Sequence, residues 1–289
     1  MRKRLVDLSA LGLVFLGLVV LGLTGCPGGN GGGGGEGEGG TEGGTEGGTE
    51  GEGGTEETAG PKPGAVPYGG AAGATATIQG KVTLSGKAPK MPFLKTAGEP
   101  ACAKHWADQG TKPVAERVVV GPQGGLRYGV VYVSGGLKNK PKPSSPTVTL
   151  RQKGCVYSPH AFGIQLGQTL LVHNDDPVLH NINAQPKKNK KFNTAQPKGR
   201  PPIKYKFRQP EIGVKIKCDV HPWMDAYASV FDHPYFTTTD ANGSFTLPKL
   251  PPGTYKIKVW HELYRDSEEK EVIVGDGESK DVNFEYKVK

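Results

Sequence analysis

Beyond an apolar run near its start, no segment of this chain keeps a helical period for long. Short stretches alternating apolar and polar residues recur instead, punctuated by Gly, Pro, Asn and Asp, the pattern of strands joined by turns. Strands are expected at Thr75–Leu84, Arg117–Val120, Gly129–Val133, Thr147–Gln152, Thr169–His173 and His180–Asn183. Further ones are expected at Ile203–Arg208, Gly213–Lys217, Ala226–Phe231, Ser244–Leu247, Thr254–His261, Lys270–Val274 and Asp281–Tyr286. Many short strands separated by loops imply an all-β chain of sandwich architecture. About 220 residues of body can bury one large core or two smaller ones.

The N-terminus is of a different character. Arg2, Lys3 and Arg4 precede an almost wholly apolar run from Leu8 to Leu23, which reads as a secretory signal over residues 1–25. Its end, Leu23-Thr24-Gly25-Cys26, resembles the lipobox of bacterial lipoproteins, and that resemblance implies a lipidated Cys26. An uncleaved membrane anchor is the alternative reading of the same run. Either way the body is expected outside the cytoplasm, in the cell envelope or periplasm, tethered to a membrane. Residues 26–72 are rich in Gly, Glu and Thr and offer no apolar surface to offset chain entropy, so a disordered tether is expected there.

Charge bears on partners only once these segments are set aside. Residues 1–60 hold three of the 36 basic and nine of the 28 acidic residues, leaving 33 against 19, a net +14, from residue 61 onward. Much of the excess lies between Lys187 and Lys217, where Glu211 is the only acid. A basic surface steers acidic partners, and an acidic redox protein docking nearby is the expectation. Nucleic acid is not expected for an exported chain; Lys204-Tyr205-Lys206-Phe207-Arg208 reads as a strand with one wet face.

One stretch carries chemistry. Cys218-Asp219-Val220-His221-Pro222-Trp223-Met224, with His180-Asn181 upstream, offers a thiolate, two imidazoles and a thioether. Soft sulfur favours Cu(I) and imidazole suits Cu(II), so a rigid site mixing them can hold one copper ion in either state. Val214, Ile216 and Cys218 share one strand face, which delivers Cys218 inward where a ligand loop begins. His221 follows three residues later, Pro222 restricts the loop, and Met224 can close back as a weak axial ligand. Each residue alone has an ordinary explanation as buried packing or a satisfied histidine. Yet only Met91 and Met224 follow the signal, and one of them falls at the axial position. Zinc competes, but a structural zinc site usually shows more than one Cys.

The order Asn174…His180-Asn181…Cys218-x-x-His221-Pro222-x-Met224 resembles the cupredoxins, the short-looped amicyanins most and plastocyanins more distantly. The resemblance spans roughly residues 145–232. It implies a Greek-key β-sandwich, one type 1 copper at His180, Cys218, His221 and Met224, and redox protein partners. It further implies that Asn181 ties the ligand loops together and that an exposed edge of His221 passes electrons. Thr239-Asp240-Ala241-Asn242-Gly243-Ser244-Phe245 and Leu250-Pro251-Pro252-Gly253-Thr254-Tyr255 resemble the carboxypeptidase-regulatory or transthyretin-like β module. The expected division is a copper domain with an N-terminal extension over 73–232 and the small module over 233–289. A strand near 76–85 is expected to complete the small module's sheet, with the copper module inserted between.

Cys102 and Cys155 remain, and an oxidising compartment favours their disulfide; a second metal site with His105 or His160 is the alternative. His173, His233 and His261 read as structural. No His-x-His pair, nucleophile elbow or phosphate-binding glycine motif follows a strand, so an electron carrier is expected rather than an enzyme. Two rival functions stay open: copper handling without electron transfer, and a structural or adhesive envelope role.

Overall fold

The computed structural model describes residues 72–288. The expected signal sequence, Cys26 and the acidic tether lie outside the described residues, but for residue 72. The chain starts with β1 (Thr77–Ser85), passes through helix α1 (Pro100–Asp108) and enters β2 (Val130–Gly135). Nine strands follow: β3 (Thr147–Lys153), β4 (Val156–Ser158), β5 (Ala161–Gln165), β6 (Thr169–Asn174), β7 (His180–Gln185), β8 (Phe192–Gln196), β9 (Ile203–Tyr205), β10 (Glu211–Lys217) and β11 (Asp225–Phe231). The chain ends in β12 (Phe236–Thr238), β13 (Ser244–Thr246), β14 (Gly253–His261), β15 (Arg265–Asp266), β16 (Lys270–Val274), β17 (Ser279–Asp281) and β18 (Phe284–Lys287).

Strand pairing sorts these into two sandwiches. In one, a five-stranded sheet β5-β11-β10-β7-β8 accompanies a four-stranded sheet β4-β3-β6-β9. Their apolar positions, among them Leu150, Ile164, Leu170, Val172, Ile182, Val214 and Ile216, form one buried core that also takes in Cys218 and Met224. In the other, β13-β1-β17 with β18 accompanies β12-β2-β14-β15 with β16, around Ile78, Val82, Val131, Val133, Ile257 and Val259. Alternation at every second residue sends one set of side chains inward along each strand, which is why these sequences build sandwiches.

The segment β3–β11 is thus an insertion between β2 and β12, which pair with each other. β1 pairs with β13, β17 and β18. β1, the strand near 76–85 expected to complete the small module, pairs there, and β2, placed by sequence within the 73–232 copper domain, also belongs by pairing to the C-terminal sandwich. Two further differences concern the segment between them. Arg117–Val120 forms a turn with one isolated bridge from Val120 to Leu126, not a strand. Pro100–Asp108 is helical, with Pro100 in its first turn, where the missing N–H costs no helical hydrogen bond. Its single fully buried residue is Cys102, too little apolar face to announce a helix by period.

The sandwiches meet through a small cluster of Tyr128, Val130, Ala161, Phe231, Phe236 and Trp260. Two glycines permit the contact. Gly213 has φ +67° at the bulge of β10, and a Cβ there would stand 2.3 Å from the Trp260 ring. A Cβ at Gly163 would stand 2.2 Å from Phe236. His160 and Glu262 also span the join, with Nε2 2.7 Å from Oε1 and both side chains buried.

The basic stretch runs the length of the inserted sandwich. β7 starts at His180, and Lys187–Lys191 follow its far end, about 20 Å away at some 3.3 Å per residue. Asn189 accepts hydrogen bonds from the Arg208 and Gln209 N–H groups, and Glu211 accepts those of Lys187 and Lys188, which holds this cluster at that far pole. Lys198 and Arg200 lie near the other end, because Gln196 is in register with His180.

Gly163→Ala is expected to destabilise the fold by about 1–3 kcal/mol, because neither the β5 backbone nor the stacked Phe236 can yield freely. Chemical denaturation of the wild-type and variant proteins checks this.

Candidate metal centre

Cys218 follows the last residue of β10 on the inward face shared with Val214 and Ile216. The chain then closes a tight loop: the Cys218 N–H donates to the Met224 carbonyl at 3.1 Å, and the Met224 N–H to the His221 carbonyl at 2.9 Å. Met224 is fully buried in the same core as Cys218.

His180 enters from β7, the neighbour of β10. Its Nδ1 stands 2.9 Å from Nδ1 of His221, and His221 Nδ1 stands 3.8 Å from Cys218 Sγ. Donor atoms bound to one ion at about 2.0–2.3 Å stand about 3–4 Å apart, so the two nitrogens and the sulfur fit a single ion. All three residues are buried.

Asn181 joins the two ligand segments. Its Oδ1 accepts the Asp219 N–H at 2.6 Å, the Val220 N–H at 3.4 Å and the Cys218 thiol at 3.3 Å. Its Nδ2 donates to Asn193 and Asp219, and its carbonyl accepts the Tyr157 hydroxyl at 2.6 Å. Asp219 is in turn held by Lys217, Asn183 and Asn193, which keep its carboxyl well below the usual range. Burial pushes the Cys218 thiol up, but hydrogen bonds from His180 and from backbone N–H groups outweigh it, and its pKa lies below the ordinary value. A thiolate is thereby favoured, the form that binds metal.

Three participants carried no signal strong enough to be read from sequence. Asp176, legible only as part of the turn Asn174-Asp175-Asp176-Pro177, is buried with Oδ2 2.8 Å from His180 Nε2. It also accepts the Gly154 and Cys155 N–H groups at 2.6 and 2.8 Å. Burial alone would raise its pKa, yet these hydrogen bonds bring it below the usual value. Burial lowers and Asp176 and Cys218 raise the His180 pKa, with a net rise. Tyr157, fully inside the core, fixes the Asn181 carbonyl. Glu99, immediately before α1, places Oε2 3.9 Å from His221 Nε2.

Glu99 belongs to a roof of which the sequence reading held only the Cys102–Cys155 disulfide. Cys102 of α1 is joined to Cys155 by a disulfide, and a ring nitrogen of His221 lies within 4.8 Å of both sulfurs. Trp106 donates to the Gly154 carbonyl at 2.7 Å, and Trp223 of the ligand loop donates to the Cys155 carbonyl at 2.9 Å. His221 is consequently 3% exposed, where an exposed edge was expected. Burial and the nearby His180 ring hold its pKa below the ordinary value.

The remaining histidines serve other contacts. His105 meets Gln109, and His160 meets Glu262. His233 and His261 accept backbone N–H groups two residues on and are held neutral by burial, which pushes both down to about 4. His173 is half-buried at the end of β6.

In the metal-free protein, the depressed Asp176 pKa stabilises the fold above its unfolded value near 3.8 and loses that effect as pH falls. The raised His180 pKa stabilises fully below about 6.5 and loses that effect as pH rises through the folded value. Their contribution is thus greatest between about pH 4 and 6.5. Asp176→Asn should lower stability most in that window, by about 1–3 kcal/mol, as read by urea unfolding across pH.

Residues 226–287 match the Carboxypeptidase regulatory-like domain family, a stretch that begins in β11 and covers the C-terminal sandwich from β12 onward. No curated protein matches the chain. Solved structures similar to it include a novel purple cupredoxin from Nitrosopumilus maritimus, 26% identical, covering 28% of this chain and 97% of its own, with a TM-score of 0.25. An amicyanin from Paracoccus versutus is 19% identical over 35% of this chain and 96% of its own, with a TM-score of 0.26. A copper-containing nitrite reductase from Thermus scotoductus is 20% identical over 34% of this chain and 25% of its own, with a TM-score of 0.28.

Proposed function

We propose that His180, Cys218 and His221, with Met224 as axial contact, hold one type 1 copper ion, and that the protein carries single electrons. The observation behind this reading is the convergence of two imidazole Nδ1 atoms and one thiol sulfur in a buried pocket closed by a seven-residue loop. Copper so held supplies one-electron exchange between Cu(I) and Cu(II). The protein's part is to keep the donors fixed. Asn181 locks the Cys218 loop to β7, Asp176 orients His180 from behind, and the surrounding core excludes water. Donors fixed in this way rearrange little between oxidation states, a property that electron transfer needs and hydrolysis does not.

The same roof supports a carrier over a copper-handling protein. A site sealed by α1, the disulfide and Trp223 favours retention of the ion. Export, lipidation at Cys26 and a position in the cell envelope complete the reading, on the strength of the N-terminal sequence. Acidic redox proteins are the proposed macromolecular partners; Lys198 and Arg200 are exposed cations that follow Gln196, which is in register with His180.

Metal-free protein given one equivalent of Cu(II) should develop an intense blue thiolate-to-copper band and a narrow copper hyperfine splitting in EPR. Cys218→Ser should abolish both. A pale, ordinary copper spectrum from the wild-type chain would overturn the assignment. Electron-transfer rates with an acidic partner should fall as salt is raised.

A further inference from the structure

With His221 roofed over, the metal centre is approached from another side. A cleft of about 690 Å³ lies between the segment that leads to β2 and the start of β11, a size ordinary for a small-molecule site. Trp106, Trp223 and Met224 border it, so the ligand loop forms part of its wall. Leu94, Val114 and Val118 supply apolar wall from the opposite segment.

Its polar groups cluster around Tyr128. The Tyr128 hydroxyl donates to Glu116 Oε1 at 2.8 Å, and the Arg127 guanidinium lies 4.5 Å from the centre of the Tyr128 ring. Arg127 Nε is buried without a hydrogen-bond partner. Arg127 lines the cleft, and its guanidinium fork can donate to an acceptor oxygen there. Glu116 already receives one phenolic hydroxyl. The cleft therefore offers aromatic and apolar walls with Arg127 as a donor and Glu116 as a carboxylate acceptor beside Tyr128, and Lys112, Ser158, His160 and Asp225 elsewhere on its lining. A flat ring bearing a hydroxyl, which accepts from Arg127 and donates to Glu116, fits the Tyr128 end of the cleft.

We propose that this cleft binds a hydroquinone-type phenol and is the entry point for electrons to the metal. This rests on the copper reading given above. In the step, the phenolic O–H bond breaks, its proton passes to the Glu116 carboxylate, and one electron reduces Cu(II) to Cu(I). A neutral phenoxyl radical leaves. Trp223, whose ring is 5.2 Å from that of His221, and Met224 lie between the cleft and the site.

The ligand half is tested on metal-free protein, where no electron can move. Two of the chain's three tryptophans line the cleft, so intrinsic fluorescence reports its occupation. Hydroquinone should quench saturably, and 1,4-dimethoxybenzene, which cannot donate, should bind about tenfold more weakly. Glu116→Gln should weaken hydroquinone by a similar factor and leave dimethoxybenzene unchanged. Non-saturating quenching, or binding indifferent to both changes, overturns the proposal. The electron half is tested on copper-loaded protein without oxygen. Hydroquinone should bleach the blue band, about tenfold more slowly in Glu116→Gln, whereas ferrocyanide should reduce both proteins equally. A blue protein that binds hydroquinone and stays blue overturns the entry role while leaving the metal reading intact. A protein that binds it saturably but forms no blue centre overturns the metal reading, and the entry role with it, but keeps the ligand site.

Discussion

The buried carboxylate of Asp176 is the knot on which both the floor and the roof of the metal centre depend. One charged group in an apolar interior is stable only if donors surround it. Asp176 has three: the His180 imidazole and the backbone N–H groups of Gly154 and Cys155. The first fixes the orientation of a metal ligand. The other two fix the turn between β3 and β4, and that turn bears the disulfide to α1, the carbonyl that receives Trp106 and the carbonyl that receives Trp223. A displaced Asp176 would therefore loosen a ligand, the roof and the ligand loop together.

How much of this was legible follows from the range over which each signal acts. Period-two alternation is local, and the strands that carry it clearly, such as β6, β10 and β14, stand where the sequence put them. Among the short strands, β4, β8 and β12 were not expected, having three to five residues and little period to show, whereas β9 and β13 lie within longer alternating stretches that were. Arg117–Val120 is rich in β-branched valine but has only one isolated bridge, from Val120 to Leu126. At the site, the ligands were legible because Cys, His and Met are distinctive at fixed spacing. Asp176 and Glu99 were not, since an acid in a turn or before a helix is ordinary until the fold brings an imidazole to it.

The join of the two sandwiches has its own logic. Inserting nine strands between β2 and β12 leaves both crossing points anchored, since β2 and β12 pair side by side. The insertion then touches its host through Phe231, Phe236 and Trp260, and through the buried ion pair of His160 with Glu262. Burial pushes the His160 pKa down, while its hydrogen bond to Glu262 outweighs that and raises it. A pair of this kind adds little net stability, but losing either partner strands a charge in the interior. It therefore acts mainly against any other relative placement of the sandwiches.

That placement bears directly on how the centre can exchange electrons. Trp223 and Met224 belong to the ligand loop, yet the cleft they border is closed on its far side by Tyr128 and Arg127, which precede β2 in the host sandwich. The insertion alone would lack the wall that Arg127 and Tyr128 supply on this side. Fused to its host, it gains a walled approach at the same time as α1 covers His221. The two changes are complementary: one covers the His221 ring edge, and the other shapes a space of small-molecule size beside the ligand loop. On the reading proposed above, such a wall would select a small reductant by shape and by hydrogen bonding, before any difference in potential comes into play.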